Sequence, residues 1–207
     1  MRKKSHIALT TYLIQNIGDI ELKRHKYSFY IGSLLPDCVP SFITKRHCIE
    51  DTFHNLKKEI EKITIYNDIN KGINSYYFLK LGVITHFIAD YFTYPHNSIY
   101  EGNISAHCVY EKELKFALKE YIKVCTNNKE MYFMNDKIRN NEIQFKNSVD
   151  EICNFIKEKH EEYLKQDIVH KVDCEYIIHV CKSVVDYIIQ IFELRLIELS
   201  EKEARIA

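Results

Sequence analysis

Residues 81–111 read LGVITHFIADYFTYPHNSIYEGNISAHCVYE, and how this stretch is read decides the fold. Leu81, Val83, Ile84, Phe87, Ile88 and Phe92 surround His86 and Asp90, so the helix they predict is apolar nearly all round and belongs inside a core. Pro95 stops it. His86 and Asp90 are four residues apart and lean over one face, and His107 and Glu111 repeat that spacing on a following helix. His96 lies just past the break. A buried carboxylate costs several kcal/mol unless it is paired or bound to a cation. No Lys or Arg lies within a helical turn of Asp90. Zinc takes imidazole nitrogen and carboxylate oxygen together. A single His-x-x-x-Asp is more often a solvated pair or a capped core histidine, but two such pairs plus His96 set a metal centre beside that plainer reading as an equal alternative.

Working outward, 207 residues with 46% hydrophobic content suffice for one domain over 1–207 with a sizeable core. Lys plus Arg and Asp plus Glu are 29 each, so no global charge draws the chain to nucleic acid. Five Gly and three Pro are too few for a protein of many hairpins. Seven Cys form no CxxC pair and no regular disulfide framework, which favours a reducing compartment. The start, MRKKSHIALTTYLIQNIGD, lacks a long apolar run and a small-residue cleavage site, so it reads as mature sequence and the expected location is cytoplasmic. No window reaches about 18 uninterrupted apolar residues, so no membrane span is expected.

The periodicity predicts an all-α bundle of about seven helices. The first carries His6 and ends at Gly18; the second runs into FYIGSLLPD, punctuated by Gly32 and Pro36, with Asp37 at its exit. A loop over 38–47 holds Pro40, Lys45 and Arg46. A charged amphipathic helix runs from Glu50 to about Ile65, and the apolar helix from Tyr76 to Tyr94. Ser105 is a candidate cap for a helix that carries His107 and Glu111 and continues through LKFALKEYIKVC. After a loop at TNNKEMYFMND come two or three more helices, ending in SVVDYIIQIFELRLIEL, which can pack internally or pair with a second copy. The oligomeric state stays open.

SHIAL, FYIGSLLPD, KRH, THFIADYFTYPH and HCVYE follow one another between residues 5 and 111, and in that order the chain resembles the zinc-dependent phospholipase C family, of the phospholipase C and P1 nuclease superfamily. The resemblance implies an all-α hydrolase with two to three zinc ions. It implies one site of Asp37, His47, His86 and Asp90, with Asp90 bridging to a second ion that His6 also binds, and a third site of His96, His107 and Glu111. It also implies that a metal-bound water attacks the phosphorus of a phospholipid or other phosphodiester, with Asp37 as a candidate general base. Family members use an N-terminal tryptophan whose amine joins the site shared with the counterpart of His6. This chain has no Trp, and the Met1 or Arg2 amine is the nearest equivalent. His54 competes with His47 as ligand, and KRH favours His47.

Two other functions remain in view. A nuclease or nucleotidase could use the same cluster, although no basic tract with interleaved aromatics is present and no stable nucleic-acid complex is expected. The metals could instead staple a non-catalytic binding domain. Outside the motifs, His160, His170 and His179 read as structural, Cys174 and Cys181 as small apolar residues on one helix face, and Tyr91, Phe92, Tyr94 and Tyr110 as core or cleft. The basic run LKRHKY around His25 is a solvated helix end, with an anionic membrane surface as its candidate peripheral partner.

Overall fold

The computed structural model describes residues 1–39, 47–68, 72–127 and 149–206. Among them are eight α-helices and no strand: α1 (Lys3–Ile17), α2 (Ile20–Arg24), α3 (Lys26–Leu34), α4 (Ile49–Thr64), α5 (Ser75–Tyr91), α6 (Ile104–Asn127), α7 (Val149–Leu164) and α8 (His170–Ile206). Residues 40–46 of the expected loop, with Pro40, Lys45 and Arg46, lie outside the described residues, as do residues 128–136 of TNNKEMYFMND. No helix among the described residues is long and apolar enough to cross a membrane.

Local chemistry sets the helix ends. Gly18 closes α1 at φ 83°, a left-handed conformation that costs a glycine little. Asn74 caps α5, its side-chain oxygen accepting from the Tyr76 and Tyr77 amides at 3.0 and 3.2 Å. That helix ends at Tyr91 rather than at the expected Tyr94. Pro95 offers no N–H to the Tyr91 carbonyl, and the chain tightens into a single 3-10 turn over Tyr94–His96. The cap of α6 is Asn103, not Ser105: its side chain accepts from the Ala106 amide at 2.9 Å, and Ser105 already lies in the first turn.

Helix α5 is the centre of the molecule, with Tyr77, Phe78, Leu81, Ile84 and Ile88, and Phe92 just past its end, among the residues with no exposed surface. Burying each such side chain is worth about 1.5–3 kcal/mol, so this helix anchors the core. It packs against α1, α3, α4 and α8, most extensively against α3. The expected alternatives for α8 resolve over its first half. Cys174, Ile177, Cys181, Val184 and Ile188, three or four apart, are fully buried, so that stripe packs internally. All seven cysteines are free thiols.

Gly32 was expected as punctuation, but it lies inside α3, facing Gly82 of α5. A Cβ on Gly82 would meet the Phe29 carbonyl oxygen at 2.4 Å and the Ser33 nitrogen at 2.7 Å, both rigid backbone atoms. The two glycines therefore let the helix backbones touch. Gly82→Ala is expected to force the helices apart and destabilise the protein by about 1–3 kcal/mol, as overpacking does. Chemical denaturation measures this, and an unchanged midpoint would mean that the backbones are not in contact.

Candidate metal centre

The contact between α3 and α5 orients the first ligand candidate. His86 is fully buried, and its Nδ1 lies 2.9 Å from the Ser33 carbonyl oxygen. A carbonyl only accepts, so Nδ1 carries the proton and Nε2 presents its lone pair to the opposite side. One turn later Asp90, also fully buried, faces the same space. The 3-10 turn Leu35–Asp37 that follows α3 delivers Asp37, and His47 stands just before α4.

His47, His86 and Asp90 converge on one point, and Asp37 stands to one side, where it groups with His6 and His86. His86 Nε2 lies 3.2 Å from both His47 Nδ1 and Asp90 Oδ2, and His47 Nδ1 lies 3.0 Å from Asp90 Oδ2. Asp37 Oδ1 stands 3.8 Å from His86 Nε2 and 3.9 Å from His47 Nδ1. Tetrahedral zinc with bonds of about 2.0–2.1 Å needs ligand atoms about 3.3–3.4 Å apart, which is the scale of these edges. The donor set is also right for zinc. His54 is exposed on α4 and belongs to none of the ligand groups found among the described residues.

Asp90 turns its other oxygen elsewhere. Oδ1 lies 3.4 Å from His6 Nε2, a buried nitrogen with no hydrogen-bond partner, and the His6 ring stacks on His86 at 4.0 Å. A buried imidazole nitrogen without a partner, facing a carboxylate that already serves a second group, fits a metal ligand better than a packed core histidine. The Met1 nitrogen, one of the two candidates the sequence offers for the family's tryptophan amine, lies beside Asp90, 2.5 Å from Oδ1.

A third group adjoins these two. Glu111 Oε1 lies 3.2 Å from both His96 Nε2 and His107 Nε2. The Met1 nitrogen takes the fourth corner, 3.3 Å from Glu111 Oε1 and 3.2 Å from His96 Nε2. His96 Nδ1 comes within 3.8 Å of Asp90 Oδ2, so the groups form one connected cluster. All eight residues singled out from the sequence meet here.

Burial and charge oppose each other in the cluster. Burial pushes the Asp90 carboxyl up, but the Met1 ammonium and the surrounding imidazoles win and hold it well below the usual carboxylate range. Glu111 is lowered in the same way, against its burial, by hydrogen bonds from His107 and His96. Burial, with His86 beside it, depresses His6 to about 3, and His96 is lowered by burial and the Met1 ammonium. The folded state thus holds both imidazoles neutral where an unfolded histidine, with its ordinary value of 6.5, takes up a proton. The unfolded chain binds more protons there, so the metal-free protein loses stability as pH falls from about 6.5 toward about 3. Thermal melts of chelator-treated protein at about pH 7 and pH 5 measure this, with the lower midpoint expected at pH 5. Burial raises Asp173 to about 7, which favours the fold as pH falls over the same range, so the same melts on Asp173→Asn isolate the histidine contribution, and equal midpoints there would rule out buried neutral histidines.

Some contributors had no sequence signal. The Ser33 carbonyl is a backbone group. Asp173 and His160, the latter read as structural, lie behind the third group: Asp173 accepts from the Tyr94 amide, and His160 contacts Asn97. His25 is less solvated than expected, stacked on Phe78 at 5.3 Å.

Among known proteins, a family model described as zinc dependent phospholipase C matches residues 5–168, reaching well past the motifs to beyond the end of α7. No curated protein and no solved structure matches the chain.

Proposed function

We propose, from the premise that the chain belongs to the zinc-dependent phospholipase C family, that it hydrolyses the phosphodiester of a phospholipid at a centre of two to three zinc ions held by His6, Asp37, His47, His86, Asp90, His96, His107 and Glu111. The observation that carries this reading is the set of donor-atom separations, 3.0–3.2 Å among His47, His86 and Asp90 and 3.2 Å from Glu111 to His96 and His107, close to the spacing tetrahedral zinc requires. Bound zinc supplies a water whose pKa is lowered toward about 7 and positive charge for the phosphate oxygens.

The protein's own groups divide the remaining work. Asp90 is 1% exposed and can only hold ions, whereas Asp37 is 22% exposed and can meet a water and a substrate. Asp37 is therefore the general base that takes the proton from the attacking water. His107 is 33% exposed, so the open side of the cluster lies between Asp37 and His107, and the substrate phosphate approaches there. The Ser33 carbonyl keeps His86 in the tautomer whose Nε2 faces the cluster. In a chain that starts at Met1, its nitrogen completes the third site.

Elemental analysis of protein purified without added metal, followed by turnover assays on phosphatidylcholine and a single-stranded oligonucleotide, tests the proposal. At least two zinc ions per chain and release of diacylglycerol are expected. Cleavage of the oligonucleotide alone would move the substrate to nucleic acid. Bound zinc without turnover of either would make the centre structural, and less than one zinc per chain would remove it.

A further inference from the structure

Behind the third site lies a polar arrangement that the hydrolytic reading does not use. Asp173, in the first turn of α8, has no exposed surface. Its Oδ1 accepts from the Tyr163 hydroxyl of α7 at 2.8 Å, and its Oδ2 from the Tyr110 hydroxyl of α6 at 3.0 Å and the Tyr94 amide at 3.2 Å. Tyr94 opens the 3-10 turn that ends at His96, and Tyr110 directly precedes Glu111. One carboxylate therefore ties together the two segments that carry His96 and Glu111.

The far side of the same turn is held independently. Asn97 follows His96, is buried, and donates from Nδ2 to the Tyr91 and Thr93 carbonyls at 3.1 and 2.9 Å. Its Oδ1 is then the acceptor for His160 Nε2 at 2.7 Å. The His96 turn is bracketed from both ends by side chains of the second half of the chain. Holding helices together needs no buried charge, since apolar side chains of similar volume do it at lower cost. Burial pushes the Asp173 carboxyl up to about 7, against the three donors. A buried carboxylate placed where it meets the neighbours of two ligand residues has a positional task.

We infer that Asp173 is a positioning residue for the His96, His107 and Glu111 metal site, fixing the Tyr94–His96 turn and the Tyr110–Glu111 segment at the separation the ion needs. This rests on the reading of the cluster as a metal centre. Asp173 does not touch the ligand atoms; it sets the backbone that aims them. Outer partners of metal ligands typically account for about 10–100-fold in metal affinity.

Cobalt(II) titration of the chelator-stripped full chain, read by its visible absorption against a competing chelator, tests this without any activity assay. Asp173→Asn is expected to weaken the class of sites containing His96, His107 and Glu111 by about 10-fold, the low end of what loss of a group bonded directly to a ligand causes, because Asp173 acts through the neighbouring residues. The class at Asp37, His47, His86 and Asp90 is expected to stay within about threefold, and Tyr163→Phe, which removes only the donor from α7, a helix without a ligand residue, to bind like the parent. Parent-like cobalt binding by folded Asp173→Asn would overturn the inference and leave the metal centre standing. Uniform weakening of every class would overturn it as well, making Asp173 a residue of the fold alone. If Asp173→Asn does not fold, Tyr110→Phe carries the test: several-fold weaker binding at the third site is expected, and parent-like binding overturns the inference. A parent that binds no cobalt would overturn both the centre and the inference.

Discussion

Asp37→Asn is expected to lower phosphodiester turnover by about 10²–10⁴-fold, the usual contribution of a general base, while leaving the fold and most of the bound zinc in place. The asymmetry follows from geometry. Asp37 sits 3.8 and 3.9 Å from its nearest cluster partners, against 3.0–3.2 Å among His47, His86 and Asp90, so it is the loosest member of its site. It is also partly exposed, so removing its charge leaves no buried partner stranded. Asparagine keeps the shape and a carbonyl oxygen that can still face an ion, but it cannot accept a proton. Steady-state kinetics, thermal melting and zinc content on one preparation separate the effects. Turnover within tenfold of the parent, with zinc retained, would exclude Asp37 as the base. Loss of zinc in step with activity would make it a ligand only.

How much of this was legible in sequence depends on how local each determinant is. The interior position of α5 was readable because Leu81, Ile84, Ile88 and Phe92 leave no polar face, so His86 and Asp90 had to be buried. The pairing of His107 with Glu111 was readable for the same reason: four residues on a helix are one turn. The family order supplied His6, Asp37 and His47, which no spacing rule could bring together across α3 and the segment before α4. What escaped was contact between segments distant in the chain. Gly32 and Gly82 each look like weak points in a helix, and only their juxtaposition shows that they allow the approach that sets Ser33 against His86. Asp173 had no periodic partner, because its three donors come from Tyr94, Tyr110 and Tyr163 on separate elements. No lysine or arginine is near Asp90 in sequence, and only the fold shows that of the two candidate amines it is the Met1 nitrogen that reaches it.

Asp90→Asn should produce the largest loss of metal of any single substitution, out of proportion to its effect on stability. The two oxygens of Asp90 face different groups, Oδ2 toward His47 and His86, Oδ1 toward His6 and the Met1 nitrogen. Asparagine replaces one oxygen by an amide nitrogen that cannot coordinate, and it removes the charge that offsets the ions on both sides. Affinity at those positions is therefore expected to fall by more than the about 10–100-fold that follows loss of an outer partner, leaving at most the ion at His96, His107 and Glu111. The effect on the metal-free fold is set by a competition. Stranding a buried ammonium by removing its partner costs about 3–5 kcal/mol where the charge must persist. Here it need not: burial opposes the Met1 charge, Asp90 is the largest of the contacts that raise the amine above its ordinary value of 8.0, with Glu111 and Asp37 behind it, and losing Asp90 shifts the balance toward the neutral amine. Giving up one proton near neutral pH costs about 1.4 kcal/mol per unit between pH and pKa, which caps the penalty at about 1–2 kcal/mol. Relief from desolvating a carboxylate offsets part of even that. Chelated Asp90→Asn should thus melt close to the chelated parent, while the zinc-loaded proteins should differ widely, because only the parent gains binding energy from the full cluster. Zinc content and paired melting curves with and without chelator measure both quantities. A variant that keeps the parent's zinc would show that Asp90 bridges no ions, and a chelated variant that fails to fold would show that its carboxylate is a structural charge first.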